Sequence, residues 1–306
     1  MNYKKIIRSR KTRIFLLSLL SFIPDKAMLK LQYRIKFGRG LNLKNPQRFT
    51  EKIQWYKLYY RDPLMAQCVD KYEVRKYVEQ MGFGDLLNEL YGVYDHVDDI
   101  DFDALPEKFV LKGTLGGGGN QVYICTDKAR LDIEALKISL CQWLKPKKKE
   151  AGREWIYRGK PRIVAEKYIE AADGELGIID FKFYCYFGKA KILLVWGDRK
   201  LGEDGAVAHY SIDYEKLPYF RTDERRLTAD IAKPANYGEM VSVAEKLAEP
   251  FPYVRVDLYN EGGKIVFGEL TFFEASGYCS FEPDEFDYIL GNYFELPEGY
   301  NSKRRR

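Results

Sequence analysis

The sequence predicts an α+β fold, with a helical N-terminal region followed by a body of largely antiparallel strands. Three observations predict it. Up to about residue 80, apolar residues recur at helical spacing, and Pro46 and Asp62-Pro63 interrupt them. From about residue 90, short strand-like runs follow one another. Near the C-terminus, two alternating runs flank Gly262-Gly263 and predict a β-hairpin. With 306 residues, the chain can form one large domain or two to three small ones.

The helical region includes residues 27–37, 50–60 and 70–81. The last of these is amphipathic, with Val74, Tyr77, Val78 and Met81 on one side. In the body, the predicted helices are residues 131–144 and 236–249. The predicted strands before the hairpin are residues 109–112, 122–125, 162–169, 178–187 and 189–196.

Residues 14–23 are apolar and follow a basic lead, which gives them a superficial likeness to a signal peptide. Ten residues are too few to cross a bilayer core, which needs about 20. No small-residue cleavage site precedes Pro24-Asp25. A helix packed on the protein is the first interpretation, a contact of residues 1–23 with the inner membrane face the second, and a cleaved signal the third.

Composition excludes several classes of function. Hydrophobic content of 46% and charged content of 31% are typical of a soluble globular protein. The net charge of +5 is concentrated in residues 4–13, 145–149 and 303–306. Such runs are usually solvated, and otherwise contact anionic lipid or polyanions. No nucleic-acid-binding module is recognisable, so no nucleic-acid partner is predicted.

The cysteine and histidine content limits which metal sites and catalytic mechanisms the chain can have. The five cysteines are widely spaced without a C-x-x-C pair, so neither a disulfide framework nor a zinc site follows, and a cytoplasmic location is predicted. The chain has only two histidines, so few residues are available for a Ser-His-Asp or Cys-His mechanism. Chemistry must rest on Lys, Arg, carboxylates and a metal.

The predicted hairpin carries charged side chains on one face. Arg255 and Asp257 share a face of its first strand, because side chains alternate along a strand. Glu269 and Thr271 share a face of the second strand. The length of the connection decides whether the two faces coincide.

Two registers are open. An even-numbered loop pairs Asp257 with Val266 and places Glu269 on the opposite side. One extra residue, such as a bulge in the Gly262-Gly263 turn, pairs Asp257 with Phe267 and puts Glu269 on the same face, one diagonal away. Two carboxylates and an arginine then meet with no other cation, which suits Mg²⁺ carrying phosphates. The alternative is an edge hairpin with solvated charges.

A glycine tract follows the strand at residues 109–112. The tract comprises Gly116, Gly117, Gly118 and Gly119, and a strand resumes at residue 122. Glycines allow the backbone N–H groups to form an anion nest, and Lys112 adds a point charge beside it. The pattern is neither a Walker loop nor a Rossmann turn. It favours phosphate binding over a plain flexible turn.

Residues 162–169, Arg-Ile-Val-Ala-Glu-Lys-Tyr-Ile, form a strand that leads into a connecting segment; a core strand with an exposed Glu-Lys pair is the alternative. Together with Lys71, Lys112, Asp257 and Glu269, their order along the chain resembles the ATP-grasp superfamily. Within it the chain resembles the TupA-like group, the teichuronopeptide-biosynthesis type associated with bacterial cell-surface polysaccharides. The resemblance covers nearly the whole chain and is carried by residues 45–55, 70–75, 108–112, 180–188, 255–259 and 268–272.

This resemblance implies a fold of two α/β subdomains that clasp a nucleotide. Residues 1–80 would be a helical N-terminal region. Residues 81–165 would form the first subdomain, with the glycine flap. Residues 166–300 would form the second, with the adenine linker and the metal hairpin, and residues 301–306 would be a basic tail.

The resemblance also implies the nucleotide-binding residues. Lys71 and Lys112 would contact nucleotide phosphates, with the tract Gly116–Gly119 closing over them. The residues that would hold adenine and ribose are Glu166, the backbone of Lys167, Tyr168 and Ile169, and, for the ribose hydroxyls, Glu175.

For catalysis, the resemblance implies Asp257 and Glu269 as Mg²⁺ ligands and Arg255 as the residue that steadies the transferred phosphoryl group. Thr271 stands where the superfamily usually has Asn, and its hydroxyl binds a metal or its water more weakly. Lys182 would be a further phosphate ligand, with a strand-surface lysine as the equal alternative.

The implied function is that of an ATP-dependent carboxylate–amine ligase in surface-polysaccharide synthesis. ATP and Mg²⁺ would be its cofactors. Its partners would be a uronic acid or other carboxylate-bearing glycan and an amine or amino acid. A glycosyltransferase is an alternative, although no convincing Asp-x-Asp pair is present. Another is a catalytically idle nucleotide-binding partner, which Thr271 keeps open.

Overall fold

A computed structural model describes residues 20–117, 119, 121–146, 152–171, 177–198 and 205–297. Several sequence predictions lie outside these residues: Gly118, Glu175, the basic tail, and most of residues 1–23 and 145–149. The predicted α+β class is confirmed. Helices dominate the first part of the described chain, and two sheets follow that are antiparallel except for the edge pair β7–β9.

The described residues form seven α-helices. They are α1 (Asp25–Phe37), α2 (Phe49–Tyr59), α3 (Pro63–Val69), α4 (Glu73–Gln80), α5 (Ile133–Trp143), α6 (Tyr237–Ala248) and α7 (Glu285–Tyr293). Sequence analysis missed α3 and α7. Helix α3 is a short helix with Pro63 in its first turn, and α7 follows the hairpin, where no element is predicted.

The strands form two main sheets. The smaller sheet has the order β1-β4-β2-β3, from β1 (Leu90–Tyr94), β2 (Phe109–Gly113), β3 (Val122–Cys125) and β4 (Ile163–Lys167). The larger has the order β11-β10-β5-β6-β7-β9, from β5 (Asp180–Tyr186), β6 (Lys189–Gly197), β7 (Ala206–Ser211), β9 (Arg225–Arg226), β10 (Tyr253–Glu261) and β11 (Lys264–Thr271). A two-stranded ribbon joins β8 (Phe220–Arg221) to β12 (Phe281–Glu282).

Helix α4 starts later than predicted because Asp70 caps it from the preceding turn. The Asp70 carboxylate accepts hydrogen bonds from the backbone N–H groups of Tyr72 (2.8 Å) and Glu73 (3.0 Å). Such a side chain satisfies N–H groups that have no partner within the helix. Lys71 is therefore held in a fixed turn rather than within the helix.

The described residues bury two hydrophobic clusters. The larger unites helices α1–α4 with α6, α7 and the larger sheet, so it draws on both early and late parts of the chain. The smaller cluster lies within residues 97–165 and joins the smaller sheet to α5. Strand β4 pairs with β2 up to Lys167. The predicted division between residues 165 and 166 therefore falls inside a strand that belongs wholly to the smaller sheet.

Gly291 marks the closest packing between α7 and the segment that leads into α2. A Cβ at this position would lie 2.1 Å from the Gln47 carbonyl oxygen and 2.9 Å from the Phe49 nitrogen. We expect Gly291→Ala to lower the free energy of unfolding by about 1–3 kcal/mol, because backbone atoms must move to admit the methyl group. Urea denaturation measures the change.

Gly238→Ala in α6 is the matched control, because nothing lies within 4 Å of the added methyl group. It should leave stability unchanged or raise it by up to about 1 kcal/mol, since alanine favours helix over glycine. Equal stability of the Gly291→Ala variant and the wild type would contradict the packing of α7 described here.

His209 on β7 is fully buried beside the Phe286 ring, at a centroid distance of 4.8 Å. Burial lowers the pKa of His209 from 6.5 to about 4. As the pH falls below 6.5 the unfolded chain gains a proton, whereas the folded chain does so only near pH 4. We therefore expect stability to fall across this window, by up to about 1.4 kcal/mol per pH unit.

Urea denaturation from pH 7 to pH 4 checks this expectation. His209→Gln should flatten the pH dependence, because its side chain does not titrate. His96→Gln, which replaces the other histidine at an exposed position, should keep the wild-type pH dependence. Parallel curves for the His209→Gln variant and the wild type would contradict the assignment to His209.

Candidate functional site

A cleft separates the smaller sheet from the hairpin formed by β10 and β11. Apolar side chains line part of it: Val74, Leu87, Ile169, Tyr259 and Phe267. Its charged and polar lining residues are Lys71, Arg75, Asn88, Lys112 and Glu166. Apolar walls with a few placed cations suit a ligand that joins a flat ring to a polyanion.

Lys112 and Glu166 form an ion pair on the cleft side of the smaller sheet. Lys112 pairs in register with Val164 on β4, so Glu166 is its diagonal neighbour on the same face. Lys112 Nζ lies 2.7 Å from Glu166 Oε2. Burial alone would raise the pKa of Glu166, but Lys112, Arg75 and Lys71 outweigh burial and lower it. Glu166 is therefore a carboxylate held among cations.

Lys71 connects the turn before α4 to the glycine tract. Its backbone N–H donates to the Thr114 carbonyl (3.0 Å), and its Nζ donates to the Gly116 carbonyl (2.5 Å). Burial lowers the pKa of Lys71, against the opposing effect of Glu269. The tract lies beside the cleft, with Gly119 in the left-handed region at φ 71°.

The segment after β4 follows the wall of the cleft, and Ile169 faces the cleft. Both backbone groups of Lys167 have partners: its N–H donates to the Glu89 carbonyl (3.0 Å), and its carbonyl accepts from Asn88 Nδ2 (2.8 Å). The Lys167 side chain is 58% exposed. The chain direction here is therefore set by residues 88–89.

The hairpin places Asp257 directly opposite Glu269 on the neighbouring strand. Two alternative partners are predicted for Asp257, namely Val266 and Phe267, and both predictions are wrong. The Gly262-Gly263 turn is a tight two-residue connection, and the extra residue lies in β11 instead. The two carboxylates consequently face each other rather than sitting on a diagonal.

The extra residue is Gly268, at a bulge in β11. A Cβ there would lie 2.9 Å from the Asp257 carbonyl oxygen and 3.3 Å from the Tyr259 ring, so only glycine fits without a backbone shift. One added residue reverses the face that the following side chains take. The bulge therefore brings Glu269 onto the side of Asp257.

Asp257 is neutralised by two cations. Arg255 donates from Nε and Nη2 to the two carboxylate oxygens of Asp257, at 2.7 Å each. Lys182 Nζ lies 2.5 Å from Asp257 Oδ2 and 2.5 Å from Asp180 Oδ2. The prediction that the hairpin acids meet no cation besides Arg255 is therefore wrong, because β5 supplies Lys182 from the neighbouring strand.

The network continues through Arg255. Its guanidinium contacts Glu274, which also accepts from Arg221 Nη1 at 2.6 Å. Arg255 Nη2 donates to the Thr271 hydroxyl at 3.1 Å and lies 3.4 Å from Glu269 Oε1. Arg255 therefore joins both hairpin strands to the loop after β11.

Glu269 is the accessible member of the acid pair, with its side chain 41% exposed, whereas Asp257 is buried. Burial alone would raise the pKa of Glu269, but Lys71, Lys182 and Arg255 outweigh it and lower the pKa. Glu269 is therefore an ionised carboxylate surrounded by cations, whereas burial raises the pKa of Asp257 against the opposing effects of Arg255 and Lys182.

The family model of TupA-like ATP-grasp proteins matches residues 51–295 of the chain. The chain belongs to the TupA-like ATP-grasp family. The matched range contains the site residues described above and both sheets, which confirms the family suggested by the sequence motifs. Comparison with curated proteins gives no match.

The solved structures that resemble this chain are distant from it in sequence. D-alanine–D-alanine ligase from Bacillus anthracis is 19% identical, with 67% of this chain and 57% of that chain covered and a TM-score of 0.42. L-amino acid ligase from Bacillus licheniformis is 15% identical, with 84% and 57% covered and a TM-score of 0.46. The TupA-like chain thus spans 57% of each of these two structures.

Of the two hairpin carboxylates, Glu269 is the one accessible to a metal ion, because both oxygens of buried Asp257 are bonded to Arg255 and one of them also to Lys182. Asp257 and Glu269 supply hard carboxylate oxygens, and Mg²⁺ is usually held by one or two carboxylates plus substrate phosphates. No cluster of three or more His, Cys, Asp or Glu side chains suited to a metal occurs among the residues that the structure describes.

Sequence analysis missed several site residues. Asp180, Arg221 and Glu274 complete the ion network, and Asn88 with Arg75 fixes the wall of the cleft. Asp180 has a sequence signal, since it shares a strand face with Lys182 two residues later. The others come from loops or distant elements and have no periodic signal.

The membrane contact predicted for residues 1–23 lies mostly outside the described part of the ATP-grasp chain. Within the described ranges, no helix has the length and apolar character needed to span a bilayer.

Proposed function

We propose that the chain is an ATP-dependent ligase that joins a carboxylate to an amine through an acyl phosphate. The observation that carries this proposal is that Lys71 and Lys112 line one cleft beside the glycine tract, and that Glu269 of the acid pair lies close enough to Lys71 to influence its pKa. Family membership supports nucleotide binding there, and the apolar lining suits an adenine ring.

The proposed reaction has two steps. A substrate carboxylate oxygen attacks the γ-phosphorus of ATP, and the bond to the bridging oxygen breaks to give ADP and an acyl phosphate. The nitrogen of an amine then attacks the acyl carbon, loses its proton and displaces inorganic phosphate. An amide, ADP and phosphate are the products, and no redox partner is required.

Each proposed role follows from position. Lys71 and Lys112 would disperse charge on the nucleotide phosphates, and the Gly116 segment would cover them and exclude water from the acyl phosphate. Arg255 and Lys182 would stabilise the phosphoryl group as it transfers. Asp257 and Glu269 would hold Mg²⁺, which when bound neutralises phosphate charge. Ile169 and the backbone of Tyr168 would contact the adenine, whereas the N–H group of Lys167 is already bonded to the Glu89 carbonyl and its carbonyl to Asn88.

We place the reaction in bacterial surface-polysaccharide synthesis, on the cytoplasmic side where ATP is available. The carboxylate would belong to a uronic acid, free or within a glycan, and the amine to an amino acid or amino sugar. These assignments extend the family resemblance.

ADP release tests the proposal directly. Purified protein is incubated with ATP and Mg²⁺ and with pairs drawn from uronic acids and amines, and ADP and amide product are measured together. Stoichiometric ADP and amide that require both substrates support the ligase. Binding of a UDP- or GDP-sugar without ATP binding would overturn it and favour a glycosyltransferase.

A second candidate is a nucleotide-binding partner without catalysis. The neutralisation of Asp257 by Arg255 and Lys182, together with Thr271 in place of Asn, favours it. ATP binding that is unaffected by loss of Glu269, combined with no ADP release for any substrate pair, is the result that would select this candidate.

A further inference from the structure

Helix α1 covers the protein with one side and leaves the other uncovered. Its inner side contributes Met28, Leu29 and Tyr33, all buried. The outer side carries two parallel rows at intervals of four residues, which we call the α1 outer face. The cationic row consists of Lys26, Lys30 and Arg34. The apolar row consists of Ala27, Leu31 and Ile35.

The apolar row is exposed to solvent. Leu31 is 46% exposed and Ile35 is 44% exposed, and Phe22, in the turn just before the helix, is 78% exposed. Single exposed apolar residues are ordinary, but here they form a continuous stripe beside one row of cations. A stripe of this kind marks an interaction surface.

The cationic row has no counter-charge among the residues that the structure describes. Within the described ranges, Lys26, Lys30 and Arg34 form no ion pair. The nearby acid Asp25 is engaged with Arg153 at 3.3 Å. The row is therefore free to meet an external anion.

We propose that the α1 outer face docks the protein on the surface of an anionic lipid bilayer. An interfacial helix places apolar side chains at the headgroup boundary and cations among anionic headgroups, and the two rows supply both. A nucleic acid would use the cations but would leave Leu31, Ile35 and Phe22 in water. The combination therefore favours lipid over a polynucleotide.

The sequence that leads into the helix is also cationic. It is free of acidic residues up to Asp25 and carries Lys4, Lys5, Arg8, Arg10, Lys11 and Arg13. Arg153 donates hydrogen bonds to the carbonyl groups of Leu20 (2.9 Å) and Ser21 (3.3 Å), which anchors the chain where it enters α1. The docking proposal does not depend on the ligase reaction.

Vesicle co-sedimentation of the full chain tests the surface. The probes are vesicles of phosphatidylcholine alone and of phosphatidylcholine mixed with phosphatidylglycerol. The wild type should bind the mixed vesicles. The variant Lys26→Gln/Lys30→Gln/Arg34→Gln should bind about 100-fold more weakly, since each cation contributes about fivefold. The variant Leu31→Ser/Ile35→Ser should bind the mixed vesicles more than about tenfold more weakly than the wild type.

Lys76→Gln/Lys191→Gln/Lys264→Gln is the matched control, because it removes the same charge from exposed sites elsewhere. It should bind nearly as the wild type does. Thermal unfolding checks that all variants fold, which is expected because every changed side chain is exposed.

Three results would overturn the proposal. The first is no binding of the wild type to mixed vesicles. The second is equal binding by the α1 variants and the wild type, which would assign any membrane contact to residues before α1 or show that they cover the apolar row. The third is binding to a DNA or RNA duplex in place of vesicles. A Leu31→Trp variant adds a direct readout, since its fluorescence should shift to shorter wavelength when vesicles are added.

Discussion

Glu269→Gln should reduce Mg²⁺-dependent ATP turnover by about 10²–10³-fold, because it removes one of the two hairpin carboxylates at the cleft. The substitution preserves size, and the side chain is partly exposed, so the fold should survive. Turnover is followed as ADP release over a range of Mg²⁺ concentrations, and the variant should need more Mg²⁺ for half-maximal rate.

Glu261→Gln supplies the control, because it makes the same chemical change at the turn end of the same hairpin. It should retain wild-type turnover. Asp257 is less suited to this test, since it pairs with Lys182 and Arg255 inside the protein. Removing one partner of a buried ion pair costs about 3–5 kcal/mol, so Asp257→Asn would lose stability as well as activity. Unchanged Mg²⁺ dependence in the Glu269→Gln variant would refute the assignment of the hairpin.

Lys112→Ala should weaken ATP binding by about 100-fold, because a charge-assisted contact to phosphate is lost and Glu166 is left as an unpaired, buried carboxylate facing the phosphates. Isothermal titration calorimetry with ATP, with and without Mg²⁺, measures the effect. Part of the loss comes from Glu166, and the double variant Lys112→Ala/Glu166→Gln should recover that part.

Lys108→Ala is the control for this measurement. Lys108 precedes the same strand and also pairs with a glutamate, Glu170, but at the surface, where its side chain is 48% exposed. ATP affinity should stay within about twofold of the wild type, since exposed pairs contribute little. An equal loss in both variants would point to general electrostatics rather than to a phosphate contact at Lys112.

The sequence was sufficient for most of the secondary structure, because apolar periodicity and turn residues are local signals. The strand at Val122–Cys125 matches its prediction, and the other predicted elements differ by up to a few residues at their ends. Helix α3 and strands β1 and β7 were among the elements that were not predicted, since they are short or lack clear alternation. Periodicity does not indicate which elements pack into the same core, because that depends on contacts between distant parts of the chain. The packing of helices α1–α4 against the larger sheet could therefore not be predicted.

The candidate site was predicted in part for the same reason. Lys112 follows from its position at a strand end, whereas Glu166 and Ile169 follow from the family resemblance, and the structure places all three at one cleft with Lys71. The hairpin register was wrong, because the position of a bulge depends on tertiary contacts such as the approach of Gly268 to the Asp257 carbonyl. The pairing of Lys182 with Asp257 depends on which strands are neighbours, and no motif in a single sequence specifies that.

The division of the larger core between early and late residues has a consequence for synthesis on the ribosome. The smaller sheet and its cluster are complete once residue 167 has emerged, so this unit can fold while translation continues. Helices α2–α4 emerge earlier, yet the cluster to which they belong is completed only by later residues, as far along the chain as Phe286, Leu290 and Phe294. For most of translation these helices expose apolar surface, and that surface is where a chaperone would bind the nascent chain.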